Sequence, residues 1–165
     1  MSNRGFTLIE LTVVIILLGF LAAMVRPQLN NLPQTKAQFA VHKMQSDVRY
    51  AQLLAMDTET RTRVVFNTAA DSYQIDRETS PGIWAAITNP STKNAYTVTF
   101  NTGDYAGVDI TAATLNAATT VIFDSYGAPF DGGGTVLAEP ANVELNTKYQ
   151  LRFRAQTGKV DVVTL

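Results

Sequence analysis

The chain has 165 residues, enough for one domain of ordinary size, and its composition is 46% hydrophobic and 16% charged. Its net charge of −1 excludes a strongly basic nucleic-acid coat protein. It has no cysteine and a single histidine, which excludes disulfides, thiolate metal sites, cysteine nucleophiles and two-histidine metal sites.

The N-terminal segment differs from the rest of the chain. A short stretch with Arg4 precedes residues 6–25, an apolar run that contains one charge, Glu10. A helix of that length spans about 30 Å, the thickness of the hydrocarbon core of a bilayer. The run predicts a single transmembrane helix with its N-terminus in the cytoplasm. A cleaved signal peptide and a plain membrane anchor are the alternatives, but the run is long for a signal peptide and an anchor leaves Glu10 unexplained.

The residues around Glu10 resemble a known processing site. The sequence Arg4-Gly5-Phe6-Thr7-Leu8-Ile9-Glu10 is similar to the cleavage site of type IV pilins and type II secretion pseudopilins. The resemblance implies that a prepilin peptidase cuts after Gly5 and N-methylates the new terminal residue, Phe6. It also implies that Glu10 faces the N-terminal amine of a neighbouring subunit in a filament. Such pairing lowers the cost of burying either charge in a low-dielectric bundle.

Two further positions on this helix match the pilins. Gly19 and Pro27 occupy positions at which pilins carry the glycine and the proline that bracket a stretch of helix that loosens in filaments. The resemblance therefore implies that Gly19 and Pro27 act in assembly, together with Glu10. For Gly19, a close helix–helix contact in the membrane is the alternative.

A second, amphipathic helix is predicted after a polar, broken stretch at residues 28–33. It covers about residues 34–57, and its apolar side chains recur at three- and four-residue steps. This stripe, which we expect to face a sheet, consists of Ala37, Val41, Met44, Val48, Ala51 and Ala55. The opposite, polar side carries Lys36, Lys43, Gln45, Arg49 and Gln52.

From Arg61 onward the hydrophobic pattern has period two, which is typical of strands. Residues 62–67 and 72–77 predict a hairpin. The further predicted strands are residues 83–87, 96–100, 108–111, 119–124, 135–137, 149–155 and 159–164. The sequence therefore predicts an α+β fold in which a long N-terminal helix packs on antiparallel sheet, as in pilins. The expected division is a leader at 1–5, a transmembrane and filament-core helix at 6–27, and a periplasmic domain at 28–165 with its sheet at 61–165.

Within the pilins, the arrangement resembles the GspH/FimT family of minor pseudopilins and minor pilins. The matching stretches are residues 44–56, residues 121–127 and the final hairpin at 151–162, which contains Gly158. The lack of cysteines and of an acidic cluster similar to the calcium loop of the major secretion pseudopilin also indicates a minor component.

The C-terminal hairpin is basic, with Lys148, Arg152, Arg154 and Lys159 close together in the sequence. Strand alternation predicts that Arg152 and Arg154 share one solvent face. A solvated face is one interpretation. The other is a patch for DNA phosphates, because FimT-type minor pilins bind DNA during uptake through a basic C-terminal region. Three or four phosphate contacts would give weak, salt-sensitive binding without sequence preference.

Three other features are interpreted structurally. His42 is expected to be a surface or boundary residue of the second helix. Residues 131–135 are rich in glycine but lack the lysine and the following helix of a phosphate loop, so they predict a turn. Trp84 is expected as a core or rim aromatic, with contact to a filament neighbour as the alternative.

Together these patterns predict a structural subunit with no catalytic residues, no cofactor and no metal. It would be processed, inserted in the inner membrane as a single-pass protein, and assembled with other pilins or pseudopilins into a type II secretion pseudopilus or a cell-surface type IV pilus that supports protein secretion. A minor pilin that binds DNA for natural transformation is the alternative. An anchored periplasmic enzyme is the third hypothesis, but the sequence offers no nucleophile–base set for it.

Overall fold

Two helices precede all the strands along the chain. The computed structural model describes residues 7–29 and 32–165, with side-chain detail for residues 7–22 and 34–165. Helix α1 covers Leu8–Leu29 and helix α2 covers Leu32–Thr58. The chain divides into two units, Met1–Leu32 and Pro33–Leu165. Predicted residues Gly5 and Phe6 lie outside the described residues.

The strands are short and begin directly after α2. They are β1 Thr62–Asn67, β2 Ser72–Ser80, β3 Ile83–Ala86, β4 Thr97–Thr99, β5 Ile110–Thr114, β6 Thr120–Phe123, β7 Pro129–Asp131, β8 Ala141–Leu145, β9 Tyr149–Phe153 and β10 Val160–Thr164. A short 3₁₀ helix, Gly103–Tyr105, precedes β5.

The strands form two antiparallel sheets. The first has the order β3-β2-β1-β6-β7, and β4 also pairs with β2. The second has the order β10-β9-β8-β5. The predicted hairpin of β1 and β2 is confirmed, with Asn67 opposite Ser72 at its closed end. The Asn67 side-chain oxygen accepts hydrogen bonds from the backbone N–H groups of Ala69 and Ala70, which fixes the turn.

The core of the Pro33–Leu165 unit is shared by α2 and both sheets. All six residues of the predicted α2 stripe are completely buried, as is Ala40. Phe66 of β1 lies 6.4 Å from Phe153 of β9, measured between ring centroids, and so joins the two sheets. Each buried side chain of this size contributes about 1.5–3 kcal/mol by leaving water. The predicted α+β fold, with a helix packed on antiparallel sheet, is confirmed.

The residues that form strands before the C-terminal hairpin differ from the prediction. Residues 135–137 form no named strand, and there Val136 makes only an isolated bridge to Phe130 of β7. The pairing segment is instead β8, whose alternate residues are buried and half-buried. Its alanine, asparagine and glutamate have low strand propensity, and pairing on both sides with β5 and β9 overrides it.

The polar side of α2 makes contacts that the sequence analysis did not predict. Gln45 and Arg49 both donate to the backbone oxygen of Val160 in β10, at 2.8 and 3.0 Å. Gln52 donates to the backbone oxygens of Gly127 and Thr157, at 2.8 and 3.0 Å. The helix contacts two sheets rather than one, so these polar side chains lie at a boundary and bond to the second sheet and its turns.

Candidate functional site

Helix α1 begins with a capping arrangement around Glu10. The backbone N–H of Glu10 donates to the Thr7 hydroxyl at 3.3 Å and to the Thr7 carbonyl at 3.1 Å. Thr7 and Glu10 thus form the sequence pattern of a capping box, Thr-x-x-Glu, and the structure contains the bond from the Thr7 side. Glu10 lies in the first helical turn, where a negative charge interacts favourably with the helix dipole. The spacing from Thr7 to Glu10 was the available signal for the cap, which the sequence analysis missed.

The described side chains of α1, those of residues 8–22, are exposed on all sides of the helix. The large apolar residues from Leu8 to Leu21 are between 44% and 81% exposed. A Cβ atom placed on Gly19 would meet no atom of the described residues within 4 Å, so none of them requires a glycine there. Pro27 lies inside α1, near its C-terminal end. None of the helices in the described part of the chain combines the length and the hydropathy that a membrane span requires.

The four basic residues of the C-terminal hairpin lie among acids and polar side chains. Lys159 forms an ion pair with Asp161 at 3.0 Å, and Arg154 lies 3.6 Å from the same carboxylate and 3.5 Å from Glu139. Arg152 donates to the side-chain oxygen of Gln150 at 2.9 Å. Lys148 donates to the side-chain oxygen of Gln34 in α2.

These contacts reduce the positive potential of the hairpin. The hydrogen bond from Lys159, with the charges of Lys159 and Arg154, lowers the pKa of Asp161 below its usual value, so this acid stays ionised at neutral pH. Arg152 is half-buried and Arg154 is exposed, with Leu151 and Phe153 buried on the other face, as strand alternation predicts. The structure therefore brings Arg154 and Lys159 together at one end of β9, with acids beside them, and places Lys148 at the opposite end of that strand.

The other singled-out residues occupy structural positions. His42 is exposed on α2. Asp131 closes the glycine-rich turn by accepting from the N–H groups of Gly133 and Thr135, both at 2.9 Å. Trp84 is half-buried, and its ring lies 4.7 Å from the Arg63 guanidinium and 5.6 Å from that of Arg61. Among the described residues, no three His, Asp or Glu side chains are grouped so that they could hold a metal ion.

Comparison with known proteins gives matches in sequence and in structure. Residues 1–25 match the prokaryotic N-terminal methylation motif. The type II secretion system core protein G of Klebsiella michiganensis is 35% identical over 94 residues, and the match covers 54% of each protein. The chain thus spans about half the length of this curated relative.

Two solved structures of the minor pseudopilin EpsH from the type 2 secretion system of Vibrio cholerae share the fold. Their TM-scores are 0.52 and 0.57 at 12% and 10% identity. The matches cover 78% and 79% of this chain and 97% and 94% of those chains. The chain thus carries the N-terminal methylation motif and has the fold seen in these minor pseudopilin structures. The resemblance predicted from the sequence is therefore confirmed.

Three separate stretches of this pseudopilin fold, those predicted to match the GspH/FimT family, meet at Gln52. Gln52 lies in residues 44–56 and bonds to Gly127 and Thr157, which belong to the other two stretches. Gly158 has a φ of +63°, and a Cβ there would lie 2.4 Å from the Gln52 side chain and 2.7 Å from the Gly127 oxygen. Gly158 is therefore required both for its backbone conformation and for space.

A buried carboxylate, missed by the sequence analysis, fixes α2 of the pseudopilin domain to the first sheet. Asp47 is 4% exposed and accepts from Lys43 at 2.5 Å, from the Tyr73 hydroxyl at 2.6 Å and from the Tyr96 hydroxyl at 3.0 Å. Burial, together with the charge of Asp47, raises the pKa of both tyrosines, so both hydroxyls stay protonated and donate. Asp47 lies three residues after Met44 and four before Ala51, within the apolar stripe, and this position was the available sequence signal for a buried carboxylate.

Proposed function

We propose that this chain is a non-enzymatic structural subunit of a type II secretion pseudopilus. The observation that carries the proposal is the exposed, almost wholly apolar α1 on a chain whose other unit encloses its own core. An exposed apolar surface of this size marks a site that lipid or other helices cover. The names of the curated relative and of the EpsH structures favour secretion over a type IV pilus, which is the alternative assembly.

In this proposal the precursor is cut after Gly5 and N-methylated on Phe6 by a prepilin peptidase. Residues 6–25 cross the inner membrane once, with the N-terminus in the cytoplasm and the globular domain in the periplasm. Subunits then leave the membrane and assemble with other pseudopilins through α1. The match of residues 1–25 to the methylation motif supports this processing.

Glu10 has two roles in the proposal, at different stages. Within the subunit it occupies the first turn of α1, after the Thr7 cap. In the filament its carboxylate pairs with the terminal amine of a neighbour, created by cleavage. Since that pair forms only in the correct axial register, Glu10 sets the spacing of subunits, while Gly19 and Pro27 allow close approach and local bending of the helices.

Intact mass spectrometry of the protein purified from cells tests the processing step. We expect the loss of residues 1–5 and the addition of one methyl group. A chain that still begins at Met1, or that is cut beyond residue 25 and is soluble, would contradict the proposal.

Cross-linking tests the role of Glu10. Because the chain contains no cysteine, an Ile16→Cys variant gives a single, unambiguous oxidative cross-link between neighbouring α1 helices. We expect Glu10→Gln in this background to lower the cross-linking yield severalfold while the protein stays in the membrane fraction. Glu139→Gln, which removes an exposed acid of the globular unit, is the matched control and should keep the yield. An undiminished yield in Glu10→Gln would count against the register role.

DNA binding through Lys148, Arg152, Arg154 and Lys159 stays a prediction, and the acids among these cations disfavour it. Gel shifts of the full chain in detergent, at low and high salt, test it. If the patch binds DNA, Arg152→Gln with Arg154→Gln should weaken a salt-sensitive shift. We expect no shift that depends on these two arginines.

A further inference from the structure

A groove lies between the C-terminal half of α2 and the β2–β3 hairpin. Tyr50 and Leu54 line it from α2, Arg77 and Thr79 from β2, and residues 85–88 from β3 and the turn after it. Its volume is about 270 Å³. Half of the lining residues are aliphatic, two are threonines, and Arg77 is the single charged residue among the described residues that line the groove.

Arg77 differs from the neighbouring arginines in having no partner. Arg61 and Arg63 are paired with Glu78 and Asp76 across the outer face of the sheet. Across residues 7–29 and 32–165, nothing forms a hydrogen bond or an ion pair with the exposed Arg77 side chain. The Tyr50 ring stacks on Tyr96 at 5.9 Å, and its hydroxyl likewise has no hydrogen-bond partner in the described part of the chain. The groove thus offers a free guanidinium and a free hydroxyl beside an apolar wall.

The groove opens beside an unpaired sheet edge. Strand β3 is the end strand of its sheet and pairs with β2 alone among the described strands. Ile83, at the start of β3, is 61% exposed. The strand carries no lysine or proline, the residues that usually protect an edge from pairing with another chain. Such an edge can accept an extended segment through its main chain while a neighbouring pocket selects one side chain.

We propose that this groove is a docking site for an extended acidic segment of a partner protein. The segment adds a strand to β3, its apolar side chains contact Leu54 and the β3 alanines, and its carboxylate pairs with Arg77 and accepts from the Tyr50 hydroxyl. The charge of the groove selects the acid, because no carboxylate of the described residues forms an ion pair with Arg77. This site goes beyond the proposed assembly function, which uses α1.

A pair of matched peptides tests the site directly. The isotope-labelled full chain in detergent micelles is titrated with the peptide Ac-Val-Thr-Glu-Val-Thr-NH₂ and with its glutamine counterpart, and the amide chemical shifts of residues 83–88 are followed by NMR. We expect the glutamate peptide to shift these amides and to bind about tenfold more tightly than the glutamine peptide. Arg77→Gln should abolish this preference, and Tyr50→Phe should reduce it. Lys93→Gln, which removes an exposed cation in the next loop, should keep it.

Three results would overturn the proposal. Equal binding of the two peptides would mean that the groove selects apolar character alone. Shifts at residues 83–88 that depend on protein concentration without peptide would assign the groove to a second copy of the chain. An absence of shifts at millimolar glutamate peptide would show that the edge does not accept a strand. Each result can be read without any filament, so it is independent of the test of α1.

Discussion

The two units of the chain differ in whether their large apolar side chains are exposed or buried. In α1 the large side chains from Leu8 to Leu21 are exposed. In the Pro33–Leu165 unit, aromatic side chains such as Phe66 and Phe123 are enclosed, and no buried polar side-chain atom in the described part of the chain lacks a hydrogen bond. The second unit is therefore stabilised by its own contacts, whereas α1 depends on surroundings outside the chain. Variants should fail by unfolding in one unit and by loss of assembly in the other.

The largest effect on folding is expected at Asp47. Asp47→Ala leaves the buried Tyr73 and Tyr96 hydroxyls without their acceptor and Lys43 without its counter-charge, so the free energy of unfolding should fall by about 3 kcal/mol. Chemical denaturation of the full chain in detergent measures it. The exposed neighbour Ser46→Ala is the control and should change stability by less than about 0.5 kcal/mol. Similar values for both variants would mean that the network does not fix α2 to the sheet.

Gly158 should give the next largest loss of stability. Gly158→Ala combines an unfavourable positive φ with overlap on Gln52, at an expected cost of about 2–3 kcal/mol. Gly134 separates the two causes, since its φ is +81° but no atom lies within 4 Å of a Cβ built there. Gly134→Ala should therefore cost only about 1 kcal/mol, the conformational part. If thermal unfolding shows equal losses, the contact with Gln52 is not the reason for glycine at 158.

The same contrast between the units explains how much the sequence could predict. Periodicity identified the α2 stripe and β1 because each buries one face with strongly apolar residues. It failed at β8, where burial alternates but the residue types are weak strand formers, and at Gln45 and Gln52, whose partners are backbone oxygens distant in sequence. The local hydrophobic pattern predicts which face of an element is buried. It does not predict which distant group forms a hydrogen bond with a polar side chain.

The candidate site divides in the same way. The short motif around Glu10 was predictable because its residues are consecutive. The exposure of Arg154 on the C-terminal hairpin followed from strand alternation. The neutralising contacts of that hairpin were not predictable. Glu139 is distant from Arg154 in sequence, and only the folded chain brings it within 3.5 Å of that arginine. The free state of Arg77 was equally hidden, because the sequence does not show which arginines find acids.

Gly19 tests the assembly side of the comparison. Gly19→Leu adds a side chain where the chain leaves open space, so the free energy of unfolding should change by less than about 0.5 kcal/mol. In a filament the same side chain would prevent close approach of helices, and cross-linking through Ile16→Cys should fall severalfold. Leu18→Met, an exposed and nearly volume-conserving change, is the control. An unchanged yield in Gly19→Leu would show that no helix packs closely at this position.

The smallest effect is expected at Asp161, where stability should depend on pH. The Lys159 hydrogen bond lowers the pKa of Asp161 in the folded protein from its ordinary value of 3.8, so the folded state binds the proton less readily than the unfolded state. Its stabilisation is therefore fully present above the unfolded pKa and is lost as the pH falls through the folded pKa. The difference in unfolding free energy between wild type and Asp161→Asn should be below about 1 kcal/mol at pH 7, because the pair is near the surface, and should shrink below pH 4.

In Lys159→Gln, the unfolding free energy should depend less on pH than it does in wild type, since this change removes the main partner of Asp161. Neither variant should alter cross-linking of α1, because both changes lie in the unit that folds through its own contacts. A difference between wild type and Asp161→Asn that does not change with pH would mean that the Asp161 carboxylate does not engage these cations. Arg154 and Lys159 would then be free to bind an external anion such as a DNA phosphate, which would favour the DNA-binding alternative.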